Sequence, residues 1–393
     1  MTTAEQTSPD SDLLAVDEGL TPEELAFRAR VREGLAELTA ADVAEWYENA
    51  EAPAELMPAL GRAGLLCTQV DGHGQTARSA VEQGILSSEL ERVDSGIRSM
   101  VAVHGNLSAH AIWLHGSDEQ KDEWLPGMVA GERVGAFCLT EPNVGSDPSS
   151  METTARRRGE DWVLNGAKAW VTNGPVASHA VVWAMTEEGV RGFIVPTDSR
   201  GLGIETVTGK LSLRISKTGA LTFDDVVVPE GNRLPQAEGL GAPFKCLSEA
   251  RYGIAWGTAG LARACLEEAI RYATERRQFG RPIGSFQLTQ SKLAEMSVDV
   301  GYASLLAVHL GRIKEERGLT PAQISTGKLG NTRIAVRTAR RARRILGANG
   351  ISGSFPLMRH MANLETVVTY EGTEEVHMLV LGGTLTGIEP AFR

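Results

Sequence analysis

Near its C-terminus the chain reads VVTYEGTEEVHMLVLG, with a single acid, Glu371, between an apolar run and a helical pattern. The run through Val367, Val368 and Tyr370 is strand-like, and Gly372 lets the chain turn without a Cβ penalty. Thr373 suits a helix N-cap, and Glu374 and Glu375 fall in the first turn, where negative charge is favoured. A carboxylate held at such an edge beside apolar neighbours is partly desolvated. Desolvation raises its pKa and suits it to take a proton from carbon. Read from the tetrapeptide alone, the plainer reading is favoured, a solvated surface acid beside a turn.

Other residues must position such a base. Glu91 and Arg98 are seven apart, so they share a helix face if the helix persists past Gly96, which can instead break it. A surface ion pair at this spacing would contribute only ~0–1 kcal/mol. Trp170 and Thr172 lie two apart on an expected strand and so point to one face. Trp is a flat apolar wall and a Thr hydroxyl can donate to a ring nitrogen, which suits a flavin; the plainer reading is β-domain core. Arg333, Arg337, Arg340, Arg341 and Arg344 form a basic helical stripe, read as a solvated or inter-subunit ion-pair face, with Arg344 able to approach a phosphate. No GxGxxG follows a strand and no GxxxxGK[ST] occurs; Gly327-Lys328 lacks the rest of a phosphate loop.

The 393 residues allow two or three domains. A net charge of −11 argues against nucleic acid or an anionic membrane as principal partner. Cys67, Cys138, Cys246 and Cys265 lack metal-ligand spacing and read as reduced cytoplasmic thiols, and the histidines form no HExxH pair, so no metal is expected. No apolar run reaches the ~18 residues of a membrane span. Residues 1–20 contain no Lys or Arg and read as a disordered tail without a targeting signal.

Order is expected from a capping box at Thr21-Pro22-Glu23-Glu24. Helical patterns cover Ala26–Leu38, Leu56–Gly64, Arg78–Val93, Met100–Leu114 and Glu119–Ala130. A two-residue period follows at Trp162–Leu164, Ala180–Met185, Gly192–Val195, Gly203–Thr208 and Thr218–Val228, predicting an antiparallel β-domain. Long helical runs return at Glu249–Arg276, Ser285–Lys314 and Pro321–Leu346, with a last helix from Thr373 to about Leu385. The predicted class is α+β: a helical domain over 21–138, a β-domain over 139–248 and a four-helix bundle over 249–393.

Five motifs in order resemble the acyl-CoA dehydrogenase family: Phe137–Asp147 (FCLTEPNVGSD), Lys168–Gly174 (KAWVTNG), Arg276–Gly280 (RRQFG), Leu346–Ile351 (LGANGI) and Tyr370–Thr373 (YEGT). ELERVDSGIRSM at Glu89–Met100, DPSSMET at Asp147–Thr153 and ARYGIAWG at Ala250–Gly257 resemble its glutaryl-CoA dehydrogenase branch. The resemblance implies Glu371 as the α-proton base and FAD between the β-domain and the bundle. It implies cofactor contacts from Phe137, Leu139, Thr140, Ser146, Trp170, Thr172, Arg344, Gly347, Thr373 and Glu375. Arg276, Gln278 and Phe279 would reach the FAD of a neighbouring subunit in a homotetramer; as residues alone they are a helix end with Arg near the dipole. Arg98 would bind the free carboxylate of a dicarboxylic acyl chain, with Glu91 orienting it and Ser99, Ser146, Arg251 and Tyr370 completing the acyl site. Relatives that oxidise glutaryl-CoA without losing CO2 differ at the positions of Glu91 and Tyr370, so both residues here favour decarboxylation. An electron-transferring flavoprotein is the implied acceptor. Ala102, His104 and Gly383 depart from the usual Ser, Gln and Arg. They keep open another acyl thioester, on CoA or a carrier protein, and ring-forming chemistry. A flavin-binding scaffold without turnover is a third reading, against which Glu371 speaks.

Overall fold

The computed structural model describes residues 11–38 and 40–388. Residues 11–20 are not the expected disordered tail. They make a 3-10 turn at Val16–Gly19, Asp17 pairs with Arg28 at 2.7 Å, and Ser11 Oγ donates to Glu267 at 2.9 Å. Acidic side chains facing arginines offset the ordering entropy here. Residues 1–10 of that expected tail, and 389–393 at the other end, lie outside the described residues.

The N-terminal domain holds α1 (Pro22–Gly34), α2 (Ala40–Asn49), α3 (Leu56–Arg62), α4 (Ala80–Val93), α5 (Ser95–Ala102), α6 (His110–His115) and α7 (Asp118–Val129). Reciprocal capping boxes start α1 (Thr21 with Glu24), α4 (Ser79 with Glu82) and α7 (Ser117 with Gln120). The run through Arg98 breaks at Asp94, two residues before Gly96. Asp94 is extended, and its side chain accepts from Gly96 N at 2.6 Å, ending α4 and capping α5. The predicted Met100–Leu114 helix is divided by a π-helical segment, Val103–Ala109.

A seven-stranded sheet follows: β1 (Gly135–Cys138), β2 (Thr154–Arg158), β3 (Asp161–Thr172), β4 (His179–Thr186), β5 (Gly189–Pro196), β6 (Leu202–Thr206) and β7 (Thr218–Pro229). Its order is β1-β4-β2-β3-β7-β6, with β5 also on β4. The sheet is mixed rather than wholly antiparallel, because β1 and β2 each pair with β4 in parallel. Both strands escaped the sequence pattern: β1 is four residues and β2 is TARRR, a charged run whose only buried side chain is Ala155. The sheet therefore begins at Gly135 rather than Leu139.

The last domain comprises α8 (Gly241–Glu275), a hairpin of β8 (Arg277–Gln278) and β9 (Arg281–Pro282), α9 (Gln287–Arg317), α10 (Pro321–Leu346), α11 (Leu357–Val367) and α12 (Glu374–Thr386). Helix α8 starts eight residues before the predicted 249, with Pro243 in its first turn, where a missing N–H costs nothing. By length and composition α9 is apolar enough to cross a bilayer, but it packs on α8 and α10. Its outer face exposes Val298, Tyr302 and Leu305.

Candidate active site

The strand-like run before Glu371 is helical. In α11, Leu357, His360, Leu364 and Val367 are buried at helical spacing, and Tyr370 N still donates to Thr366 O at 2.9 Å. The chain then reverses: Glu371 and Gly372 take left-handed φ values of 54° and 95°. Thr373 caps α12 through its side chain, as expected, and Glu374 and Glu375 occupy the first turn. Glu371 thus sits in a two-residue corner between helices. A left-handed non-glycine residue is uncommon and marks functional corners.

The Glu371 carboxyl faces inward. Its Oε2 is buried without a partner, and burial raises its pKa against the opposing pull of Arg98, Lys328 and Arg251. Arg98 is 1% exposed; its Nε donates to Glu91 Oε2 at 2.8 Å and its Nη2 donates to the Tyr370 hydroxyl. Burial alone would lower the Arg98 pKa, but Glu91, Tyr370 and Glu371 carry it upward, so the guanidinium stays charged. Arg98 Nη1, Glu91 Oε1 and Ser99 Oγ are likewise buried and unpartnered. Buried polar atoms are ordinarily paired, so this set next to the base is the donor and acceptor inventory of a polar ligand group.

The break at Asp94 does not separate Glu91 from Arg98. It turns α5 so that Arg98 returns to Glu91 across the corner. Asp94 also binds α11: Asn363 Nδ2 donates to its Oδ2 at 2.9 Å and Arg359 Nε lies 3.0 Å from the same oxygen. One buried carboxylate thereby joins the helix of Arg98 to the helix leading into Glu371. Burial pushes the Asp94 pKa up to about 6 despite those partners.

Of the departures from the usual pattern, Ala102 lines a cavity of about 10 Å³ together with Arg98, Ser87, Leu90 and Asn106. His104 is structural: its Nδ1 accepts from Gly135 N at 3.1 Å, which leaves Nε2 to donate to Met128 O at 3.0 Å. It ties the π segment to β1. Gly383 lies within α12. Arg251, expected at the acyl group, donates from Nε to the Glu371 carbonyl at 2.7 Å.

On the β-domain, Trp170 and Thr172 flank buried Val171 at the end of β3. Trp170 sits at a bulge with φ 57° and is 66% exposed. Ala169 N donates to Thr140 O at 2.9 Å, which brings the 140 loop beside that tryptophan. A Lys168–Glu141 pair at 2.8 Å, buried and unforeseen although it lies inside two of the motifs, clamps the loop, and Lys168 Nζ also donates to Leu139 O at 3.1 Å. The Phe137 ring is buried against Trp183 at 5.9 Å, so it supports the loop from the core. Ser146 is exposed. An uncovered indole face beside two threonines fits an isoalloxazine, and these residues would hold one.

Arg276 is the C-cap of α8, its N–H donating to the Tyr272 carbonyl at 2.9 Å, whereas Gln278 and Phe279 lie beyond the helix on the β8–β9 hairpin, with Phe279 90% exposed. Arg344 and Gly347 are exposed at the end of α10. Among the described residues no hydrogen bond, ion pair or ring contact joins either group to Trp170 or Glu371. The rest of the basic stripe is paired: Arg333 with Glu374 at 2.5 Å, Arg337 with Asp299 at 2.7 Å, Arg341 with Glu295 at 2.7 Å and Arg340 with Glu365 at 3.7 Å.

A helical, β, helical chain with a buried acid in the corner before its last helix defines a class. The acyl-CoA dehydrogenase N-terminal, middle and C-terminal domain models match residues 21–132, 136–226 and 237–385. The chain belongs to the acyl-CoA dehydrogenase family, flavin-dependent oxidoreductases whose cofactor is FAD. A short-chain-specific acyl-CoA dehydrogenase of Clostridium acetobutylicum is 32% identical over 94% of this chain and 100% of its own. Glutaryl-CoA dehydrogenase from Mycobacterium smegmatis has 53% identity and a TM-score of 0.95 over 98% of this chain and 99% of its own. A glutaryl-CoA dehydrogenase from the same organism in complex with FADH2 has 48% identity and a TM-score of 0.95 over 97% and 98%.

Proposed function

We propose that the chain catalyses the FAD-dependent oxidative decarboxylation of glutaryl-CoA to crotonyl-CoA and CO2. The observation that carries the reading is Arg98: a charged guanidinium, buried beside the base, with Nη1 left over after Glu91 and Tyr370 are satisfied. A buried cation with a spare donor suits a carboxylate at the far end of a short acyl chain. Glu371 takes the α-proton, and its raised pKa makes it the stronger base. Bound FAD would supply the acceptor for the β-hydrogen and its electron pair. Arg98 then holds the γ-carboxylate until the carbon–carbon bond breaks, the electrons delocalise into the enone and CO2 leaves. Protonated Glu371 returns its proton to the product. Glu91 and Tyr370 fix the plane of the guanidinium, and Trp170, Thr172 and Thr140 hold the flavin.

The enzyme is a homotetramer in this reading. The exposed Phe279 hairpin and the apolar outer face of α9 support it, since large apolar side chains are costly in water. The acceptor is an electron-transferring flavoprotein and the location cytoplasmic, in keeping with four buried free thiols. The curated short-chain relative favours a second reading, oxidation of butyryl-CoA in the same site. Anaerobic titration with each thioester, with mass spectrometry of the products, separates them. Glutaryl-CoA should bleach the flavin and yield a four-carbon enoyl-CoA. Arg98→Met should lose roughly 2–5 kcal/mol on glutaryl-CoA and much less on butyryl-CoA. Equal losses on both would make Arg98 structural, and a five-carbon enoyl product would exclude decarboxylation.

A further inference from the structure

Lys328 belongs to none of the motifs, and beside Gly327 it is only a fragment of a phosphate loop. It lies in α10, is 1% exposed, and makes no ion pair among the described residues. Its Nζ donates to the carbonyls of Tyr370 at 2.7 Å and Gly372 at 2.5 Å. These are the residues immediately before and after Glu371. The Glu371 carbonyl itself takes Arg251 Nε from α8. Three successive carbonyls of the corner are therefore held by two cations from two other helices. The corner needs this, because with left-handed φ at both Glu371 and Gly372 its carbonyls lie outside the repeating hydrogen bonds of α11 and α12. A side chain that reaches across to both flanking carbonyls sets the distance between them, and so the direction of the carboxyl between them.

We propose that Lys328 is a positioning residue for the base: by bracketing Glu371 through its two neighbouring carbonyls, it fixes the left-handed corner that aims the carboxylate into the acyl site. The inference rests on Glu371 being that base. A second consequence is electrostatic. Burial lowers the Lys328 pKa while the nearby Glu371 opposes the fall, so an ammonium here favours the ionised carboxylate. The other charged groups facing it are Arg251 from α8, Arg98 from α5 and Glu374 from α12; His377 of α12, its pKa lowered to about 4, stays neutral near pH 7.

The test uses the flavin-loaded enzyme and the variants Lys328→Met, which removes donors and charge, and Lys328→Gln, which restores amide donors only. Single-turnover flavin reduction should fall ~10–100-fold in Lys328→Met, with acyl-CoA dissociation constants within about threefold of wild type, as a misaimed reacting group predicts. Lys328→Gln should recover part of the rate. In both variants the acid limb of the reduction rate should move to higher pH. A purely structural lysine would instead lower thermal stability, FAD content and binding together, leave the limb in place and show no recovery in Lys328→Gln, and would overturn the proposal. Should Lys328→Met fail to fold, Lys328→Gln carries the comparison through its pH limb. Glu371→Gln run alongside separates the two ideas: activity in that variant removes the base assignment, whereas an inactive Glu371→Gln beside an unaffected Lys328→Met and Lys328→Gln removes only the role of Lys328.

Discussion

Glu91 occupies space that exists only because residue 257 is glycine. A Cβ placed on Gly257 of α8 would lie 2.0 Å from Glu91 Oε2, the oxygen that takes the Arg98 hydrogen bond. One turn further on, a Cβ on Gly260 would meet the Ser88 carbonyl at 2.4 Å. The backbones of α4 and α8 approach closely here, and the carboxylate that orients Arg98 is packed into the seam. ARYGIAWG at Ala250–Gly257 is thus a packing motif with a consequence for the site.

Gly257→Ala should push Glu91 off Arg98. The guanidinium then loses its buried partner, and the expected penalty is several kcal/mol. We expect kcat/KM for glutaryl-CoA to fall at least ~10-fold, with a smaller change for butyryl-CoA, and Tm to drop. Steady-state kinetics with both thioesters checks this; unchanged glutaryl-CoA turnover would mean that the pair is not needed.

Glu371→Gln should keep FAD and bind acyl-CoA yet lose at least ~10²-fold in flavin reduction. The pH dependence follows from the direction of the shift. The working form is the carboxylate, and burial raises its pKa, so activity is present at high pH and lost as pH falls. The acid limb should lie above the ordinary glutamate value of about 4.3. Stopped-flow reduction between pH 4 and 9 would measure it, and a limb at or below the ordinary value would contradict the buried environment.

Buried neutral histidines should make the fold acid-sensitive. Burial depresses the pKa of His104 to about 4, of His110 to about 4, of His179 to about 3 and of His360 to about 3. Between the unfolded value near 6.5 and these values, only the unfolded chain takes up the protons. Their stabilisation is therefore complete above about pH 6.5 and is lost progressively as pH falls through about 4 for His104 and His110 and about 3 for His179 and His360. For His104 alone the loss amounts to about 3 kcal/mol. Urea midpoints at pH 7 and pH 5 should differ clearly in wild type and less in His104→Gln; identical midpoints would show that the histidines open to water.

What the sequence determined by itself was local. A capping box at Thr21 and hydrophobic periods of 3.6 and 2 placed the long helices and five of the strands, because caps and periodicity are properties of neighbours in the chain. The YEGT corner was legible as an acid, a turn residue and a cap. Strands β1 and β2 were not legible: one is too short to show a period, and the other is charged on its open face and gains its place only by pairing. The run before Glu371 looked like a strand, and packing against the other helices made it a helix. The tertiary structure alone decided the partners. Arg98 meets Tyr370 across 272 positions, Asp94 meets Asn363 across 269, and Lys328 reaches round Glu371 from another helix. Such pairs are selected by burial, where an unsatisfied charge or carbonyl is costly, and that cost is set by the fold as a whole rather than by any spacing along the chain.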